Sequence, residues 1–159
     1  MAVQIGDSIP DVTLKIMGEK GPQDITTADI FSGKKVVLFA VPGAFTPTCS
    51  AAHLPSYVVN ADKLKEKGVD SIVCTSVNDP FVMDAWGKAG NAEALMMVGD
   101  HEGALANAMG LTMDASGAGL GIRSVRYSLV AEDGKITALN VEKGGVYEVS
   151  SAEAILEAL

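Results

Sequence analysis

Cysteine and aromatic residues are scarce in this chain, and no hydrophobic run is long. Two of the 159 residues are cysteine, too few for the disulfide framework of a small secreted scaffold. Aromatic residues make up only 5%. The longest unbroken apolar runs, such as Val36 to Val41, are far too short to cross a bilayer. The two cysteines are therefore expected to be either buried small hydrophobes or reactive thiols.

Basic residues are also in the minority. Lys and Arg number 12 against 20 Asp and Glu, which gives a formal net charge of −8. A protein of this charge repels phosphate backbones and anionic lipid, so we expect neither nucleic-acid nor membrane binding. The first residues, Met1 to Asp7, lack the basic and apolar regions of an export signal. The expected location is therefore cytoplasmic.

What remains is an ordinary globular composition, with 48% hydrophobic and 20% charged residues. This argues against disorder. The length is typical of about one domain, so we expect residues 1–159 to form a single domain.

Hydrophobic patterning from residue 35 onward alternates between strands and helices. Strands are predicted at 35–41, 71–77, 95–98, 124–131 and 135–141, and helices at about 48–67, 78–89, 103–109 and 151–159. The last two strands flank Glu132-Asp133-Gly134, a hairpin turn signal. The order predicts an α/β fold, with a central mixed β-sheet flanked by helices on both faces.

Cys49 follows the predicted strand 35–41 and lies in the first turn of the next predicted helix. Sites in α/β sheets form at the carboxyl ends of strands, and a helix N-terminus stabilises an anion such as a thiolate. The hydroxyl of Thr46, three residues upstream, can approach the sulfur or its substrate. Pro42 and Pro47 stiffen the loop and limit access. Because a polar, proline-rich turn suits a buried structural cysteine poorly, a reactive thiol is favoured.

Cys74, in the middle of the predicted strand 71–77, has the opposite surroundings. A buried, inert thiol is favoured there. The alternative is a resolving thiol that condenses with oxidised Cys49, which requires Cα atoms within disulfide range.

His53 lies four residues after Cys49 and shares its helix face. A packed or half-exposed histidine is favoured over a general base for the thiol. A zinc site with Cys74 and His101 as remote ligands is disfavoured, because no second pair of closely spaced ligands exists.

Arg123 and Arg126 flank the start of the predicted strand 124–131. Strand alternation would place them on opposite faces, so that one can point inward. An inward guanidinium beside a thiolate stabilises its negative charge.

These residues resemble one family. Pro42, Thr46 and Cys49 fit the Pro-x-x-x-Thr-x-x-Cys signature of peroxiredoxins. The resemblance to the type II, or peroxiredoxin-5-like (atypical), subfamily is colinear from about Val3 to Leu159. It rests on three blocks: Pro42 to Ser50 followed by His53-Leu54-Pro55, Ser76 to Met83 with Trp86, and Arg126-Tyr127-Ser128.

The resemblance implies a thioredoxin-like fold and thiol-dependent reduction of hydrogen peroxide and alkyl hydroperoxides, with no metal or organic cofactor. In this alignment Cys49 is the peroxidatic cysteine and Thr46 orients the peroxide. Arg126 activates the thiolate and polarises the O–O bond, and Pro42 shields the cysteine. The resemblance also implies a homodimer that pairs through the face near the site, for which the loop Asn78 to Met83 could serve.

One departure from the subfamily concerns recycling. Some members carry a resolving cysteine late in the chain, whereas residues 140–159 contain none. Plant-like members carry a cysteine at the position of Cys74, and their recycling routes vary. The sulfenic acid on Cys49 is expected to be reduced either through Cys74 or by an external thiol. Glutathione with glutaredoxin is favoured, and thioredoxin is possible.

Other classes of function remain alternatives. A peroxide-sensing module, in which Cys49 oxidation alters a partner surface, would differ in its turnover with a general reductant. A thioredoxin-type oxidoreductase is disfavoured because the chain has no Cys-x-x-Cys. An inert structural domain would leave Thr46, Cys49 and Arg126 together unexplained.

Overall fold

The computed structural model describes residues 2–144 and 146–159. The strands are β1 (Thr13–Gly18), β2 (Gly21–Thr26), β3 (Lys35–Ala40), β4 (Ser71–Ser76), β5 (Met96–Gly99), β6 (Thr112–Asp114), β7 (Ile122–Ser124), β8 (Tyr127–Glu132) and β9 (Lys135–Val141). The α-helices are α1 (Thr27–Phe31), α2 (Leu54–Glu66), α3 (Pro80–Ala89), α4 (Ala104–Met109) and α5 (Ala152–Glu157). A π-helical turn, Cys49–His53, leads into α2, and a 3₁₀ turn covers Ser116–Ala118.

Seven strands form one sheet in the order β2-β1-β5-β4-β3-β8-β9. The pairs β3–β4 and β4–β5 are parallel, and the other neighbours are antiparallel. Strands β6 and β7 form a separate two-stranded sheet. The predicted central mixed sheet is confirmed.

Helices cover both faces of this sheet. Alternate residues of β3 point to opposite sides, and all but the first are buried. Val37 and Phe39 pack with buried residues of α2, α3 and α5, whereas Val36 and Leu38 pack with those of α1 and α4. A strand buried on both faces needs a continuous apolar run, which is why β3 was recognisable in the sequence. No helix within the described ranges is long and apolar enough to cross a membrane.

The amino-terminal third departs from the prediction, which placed no element before residue 35. Strands β1 and β2 pair as an antiparallel hairpin, and β1 joins the sheet through β5. No residue of β2 is buried and three of its six residues, among them a proline, are exposed, so its apolar signal is weak. Helix α1 begins with a capping box between Thr26 and Asp29, a spacing that is visible in the sequence.

The strand predicted at 124–131 is also divided. Its first part belongs to β7 and its second part to β8, which lie in different sheets. Val125 lies between them and donates its N–H to the carbonyl of Leu111 at 2.8 Å. The strand is therefore interrupted immediately before Arg126.

The helix predicted at about 48–67 contains the π-helical turn at its start. The N–H of Leu54 donates to the carbonyl of Cys49, five residues earlier. Pro55 follows in the first turn of α2 and has no N–H to donate. The normal ladder of bonds between residues four apart is therefore interrupted here, and the turn widens.

Strand β5 and the start of α3 approach each other closely at Gly99. A Cβ built on Gly99 would lie 2.8 Å from the carbonyl oxygen of Asn78 and 3.0 Å from the nitrogen of Pro80. Both are backbone atoms, so neither can rotate away. The missing side chain thus allows α3 and the loop before it to lie against the sheet.

We expect Gly99→Ala to lower the free energy of unfolding by about 1–3 kcal/mol, because overpacking displaces the backbone. Urea unfolding would measure this loss. Gly117→Ala is the matched control, since a Cβ there would meet nothing within 4 Å. Equal stabilities of the two variants would contradict the close approach.

Candidate active site

The sulfur of Cys49 is buried at the point where the chain enters the π-helical turn. Cys49 has no exposed surface and packs in the cluster that includes Phe39 and Tyr57. The expectation that its polar turn keeps it out of the core is therefore wrong. Sequence neighbours such as Phe45 are exposed, but the sulfur itself points into the protein.

Arg126 supplies the polar contact that distinguishes this buried cysteine. Its Nη2 donates to Cys49 Sγ at 3.1 Å, and its Nη1 donates to His53 Nδ1 at 2.9 Å. Arg126 is 6% exposed. Because a guanidinium keeps its charge at all ordinary pH values, a positive charge is held permanently beside the sulfur. A charge-assisted hydrogen bond of this kind favours the thiolate.

His53 is held between two partners. Its Nε2 lies 2.9 Å from the carbonyl oxygen of Ser150, which can only accept. Since a guanidinium can only donate, Nδ1 must be the unprotonated nitrogen and Nε2 must carry the hydrogen. Burial, and then the charge of Arg126, lowers the pKa of His53 from 6.5 to about 3. The packed role predicted for His53 fits this geometry, in which both ring nitrogens are occupied.

The loop before α5 completes the site, although nothing in the amino-acid pattern indicated its part. The carbonyl of Ser150 also accepts from the Tyr57 hydroxyl at 2.8 Å. The ring of Tyr147 lies 5.8 Å from the guanidinium carbon of Arg126, within the range of a cation–π contact. Ser150 is 97 residues from His53 and 93 residues from Tyr57 in sequence, so spacing could not have revealed these contacts.

Thr46 and Pro42 lie in the loop between β3 and the π-helical turn. The Thr46 hydroxyl donates to the carbonyl of Gly43 at 2.6 Å, which leaves its oxygen lone pairs as acceptors. The carbonyl of Pro42 accepts from Arg123 Nη1 at 3.3 Å. Both arginines therefore reach the same segment, contrary to the prediction of opposite faces. The break in the strand at Val125 removes the strand alternation on which that prediction rested.

Further hydrogen bonds with Asn78 and Trp86 hold this segment against the sheet and α3. The side-chain oxygen of Asn78 accepts from the N–H of Ala44 at 3.0 Å and from the Ser76 hydroxyl at 2.7 Å. The indole N–H of Trp86 donates to the Ser50 hydroxyl at 3.0 Å. The residues on either side of Cys49 are therefore fixed to separate elements.

Cys74 lies in β4, opposite Phe39 of β3, and is buried. Burial, and then the neighbouring Cys49, raises the pKa of the Cys74 thiol well above its ordinary value. Cys49 and Cys74 are not bonded to each other. Within residues 2–144 and 146–159, no group of three or more His, Cys, Asp and Glu side chains could hold a metal ion.

Comparisons with known proteins show which proteins this chain resembles. A family model described as Redoxin matches residues 4–156. Peroxiredoxin-2D of Arabidopsis thaliana is 48% identical over 159 residues, which cover 99% of this chain and 98% of the relative. Reduced Prx3 from Vibrio vulnificus, solved in complex with H₂O₂, is 51% identical with a TM-score of 0.95 and 98% coverage of both chains. Peroxiredoxin 5 from Alvinella pompejana is 35% identical, with a TM-score of 0.87 and coverage of 98% and 97%. The predicted thioredoxin-like fold is confirmed.

The neutral state of His53 predicts a pH dependence of stability. Between its unfolded pKa of 6.5 and its folded pKa of about 3, the unfolded chain binds a proton that the folded chain does not. The free energy of unfolding therefore falls as the pH is lowered through this window, by at most about 1.4 kcal/mol per pH unit. Urea unfolding at about pH 7 and about pH 5 should show this loss.

The matched variant is His53→Gln, whose amide can still donate to the Ser150 carbonyl but does not titrate. It should lose less stability than wild type between the two pH values. Equal losses would show that His53 is not the group responsible.

Proposed function

We propose that Cys49 is the peroxide-reducing thiol of this chain, which belongs to the peroxiredoxin family as a type II member and is a thiol-dependent peroxidase. The observation that carries the proposal is the guanidinium of Arg126, 3.1 Å from Cys49 Sγ. Of the two cysteines, only Cys49 has such a partner among the described residues. The buried thiol of Cys74 stays protonated, and a protonated thiol is a poor nucleophile.

In the proposed reaction, the Cys49 thiolate attacks one oxygen of a hydroperoxide ROOH. An S–O bond forms and the O–O bond breaks, with its electron pair leaving on the RO oxygen. The sulfur is oxidised to a sulfenic acid, and RO⁻ takes up a proton and leaves as ROH. Negative charge moves from sulfur to the leaving oxygen. The positive charge of Arg126 stabilises the negative charge both on the sulfur and on the leaving oxygen. It does so effectively because its position beside the sulfur is set before the reaction starts.

We assign supporting roles to Thr46 and Pro42. The Thr46 hydroxyl already donates to Gly43, so its oxygen can accept the hydrogen of an incoming hydroperoxide. That contact would orient the peroxide for in-line attack. Pro42, fixed through its carbonyl by Arg123, forms part of the same loop and limits access to the sulfur.

For recycling, we propose that an external thiol, glutathione with glutaredoxin or alternatively thioredoxin, reduces the sulfenic acid. The support is the state of Cys74, which is buried in the middle of a central strand and has a raised pKa. A resolving thiol must be ionised and must approach the oxidised sulfur in line. Strand β4 is paired on both sides, by β3 and β5, so its backbone has little freedom to bring Cys74 to Cys49.

We also propose that the protein forms a homodimer through the surface beside the site. Phe45 and Phe81 are 55% and 62% exposed. Phe45 follows Ala44 in sequence, and Phe81 lies in the first turn of α3, three residues after Asn78, whose side chain accepts from the N–H of Ala44. Exposed large apolar side chains favour association. The cytoplasmic location stays a prediction, since relatives of similar identity include chloroplastic and mitochondrial proteins. The single domain over residues 1–159 also stays a prediction.

The two cysteines provide a matched test of the chemistry. We expect Cys49→Ser to abolish peroxide reduction, whereas Cys74→Ser should retain it with glutathione and glutaredoxin as reductants. Intact-protein mass spectrometry after one equivalent of hydrogen peroxide should show one added oxygen in both wild type and Cys74→Ser. A loss of two protons in wild type alone would make Cys74 the resolving thiol. Retained activity in Cys49→Ser would overturn the assignment of Cys49.

The proposed dimer surface can be tested by sedimentation equilibrium. We expect Phe81→Ser to shift the protein from dimer towards monomer, because a buried aromatic side chain contributes strongly to an interface. Val59→Ser is the control, since Val59 is 79% exposed on a different helix, α2. A wild type that sediments as a monomer, or equal effects of the two substitutions, would reject this surface.

A further inference from the structure

Glu142 is a buried carboxylate that the peroxidase reaction, as described so far, does not use. It lies just after β9 and is 4% exposed. Its Oε2 accepts hydrogen bonds from the N–H groups of Glu148, Val149 and Ser150, each at 2.9 Å, and from the Ser150 hydroxyl at 2.6 Å. Within the described part of the chain no Lys or Arg side chain forms an ion pair with it. The hydrogen bonds that stabilise the charge of its carboxylate come from the loop before α5.

The hydrogen bonds to Glu142 fix the backbone that carries the Ser150 carbonyl. Burial alone would raise the pKa of Glu142, but the bonds from Ser150 and from the backbone of the loop outweigh it and lower that pKa. The carboxylate is therefore ionised at neutral pH. Because charge-assisted hydrogen bonds are roughly twice as strong as neutral ones, four of them at one oxygen make a firm anchor.

The anchored carbonyl in turn fixes the imidazole of His53. It accepts from Nε2 at 2.9 Å, which places the ring hydrogen on that nitrogen. Nδ1 is then left with a lone pair directed at Arg126 Nη1, 2.9 Å away. If the carbonyl moved, the hydrogen could sit on Nδ1 instead, where it would face a group that can only donate. The tautomer of His53 therefore decides whether the guanidinium can occupy its observed place.

A second connection leads to the same arginine through the backbone. The N–H of Glu142 donates to the carbonyl of Arg126 at 3.0 Å. Glu142 thus holds the main chain of Arg126 directly and its side chain through Ser150 and His53. The end of this chain of contacts is the hydrogen bond from Nη2 to Cys49 Sγ.

We propose that Glu142 is a positioning residue for the thiol. By anchoring the Ser150 carbonyl, it sets the tautomer of His53. That tautomer in turn sets the position of the Arg126 guanidinium beside Cys49. The inference rests on the proposed role of Cys49 and extends it. Glu142 touches neither the sulfur nor the place of the peroxide, so its effect is on the geometry of the groups that do.

The test compares Glu142→Ala with Glu148→Ala in the full-length protein. Both remove one carboxylate from the same region, but the Glu148 side chain is exposed and only its backbone N–H contacts Glu142. The rate of reaction with hydrogen peroxide can be followed by the fluorescence of the single tryptophan, Trp86, whose indole contacts Ser50 beside Cys49. Nitrogen-15 NMR of the histidine ring reports the tautomer of His53 without any need for activity.

We expect Glu142→Ala to slow the reaction by about tenfold to a hundredfold, because misplacing a catalytic group by about 1 Å has effects of this size. In wild type, the two ring nitrogens of His53 should give separate signals, one protonated and one unprotonated. In Glu142→Ala, both signals should move towards an average position, because the two tautomers interchange. Glu148→Ala should match wild type in both measurements. Arg126→Ala serves as the reference for complete loss of the guanidinium.

If Glu142→Ala does not fold, Glu142→Gln decides the question. Its amide oxygen still accepts hydrogen bonds but carries no charge. We therefore expect a smaller decrease in the rate of reaction with hydrogen peroxide, of at least about threefold. A wild-type rate and a wild-type His53 spectrum in the variant that folds would overturn the positioning role. Failure of the proposed function would look different, because Cys49→Ser would then retain activity whatever the state of His53.

Discussion

The hydrogen bond between Arg126 and the sulfur of Cys49 sets conditions that much of the chain must meet. A buried guanidinium is tolerated only where its donors find partners. Here the partners are the sulfur, the imidazole of His53 and the face of Tyr147. Cys49 and His53 both lie in the π-helical turn, whereas Tyr147 lies in the loop before α5. The π-helical turn, the break between β7 and β8 and the loop before α5 must therefore all be in place together. The site thus depends on segments that lie far apart in the chain and not on the cysteine loop alone.

Much of the fold was predictable because the central strands are buried on both faces. Strands β3 and β4 and helices α2 and α3 lie within one or two residues of their predicted bounds, apart from the π-helical turn, since continuous apolar runs and capping residues mark them. The edge strand β9 also matches its predicted bounds, because the turn signal Glu132-Asp133-Gly134 marks its start. The amino-terminal hairpin was missed because β2 is largely exposed and interrupted by Pro22. The division of the strand around Val125 was missed because nothing in its local pattern distinguishes a change of sheet from a continuation.

The candidate site divides in the same way. Residues of the motif, such as Thr46 and Cys49, could be identified because they lie close together in sequence. Neither the environment of His53 nor the part played by Ser150 could be identified, because 97 residues separate the two contacting groups. The burial of Cys49 was mispredicted for a related reason. The polarity of a turn describes its neighbours in sequence, whereas the environment of a side chain is set by the elements that pack over it.

The edges of the central sheet bear on how the protein behaves when crowded. An edge strand offers unpaired backbone groups on which another chain can add a strand. At one edge, β2 carries Pro22, which has no N–H, and the exposed, charged Asp24. At the other, β9 has a β-bulge opposite Val130 and Ala131, which disturbs the regular ladder. Together with a net charge of −8, these features disfavour strand-to-strand aggregation and leave side-chain surfaces as the means of association.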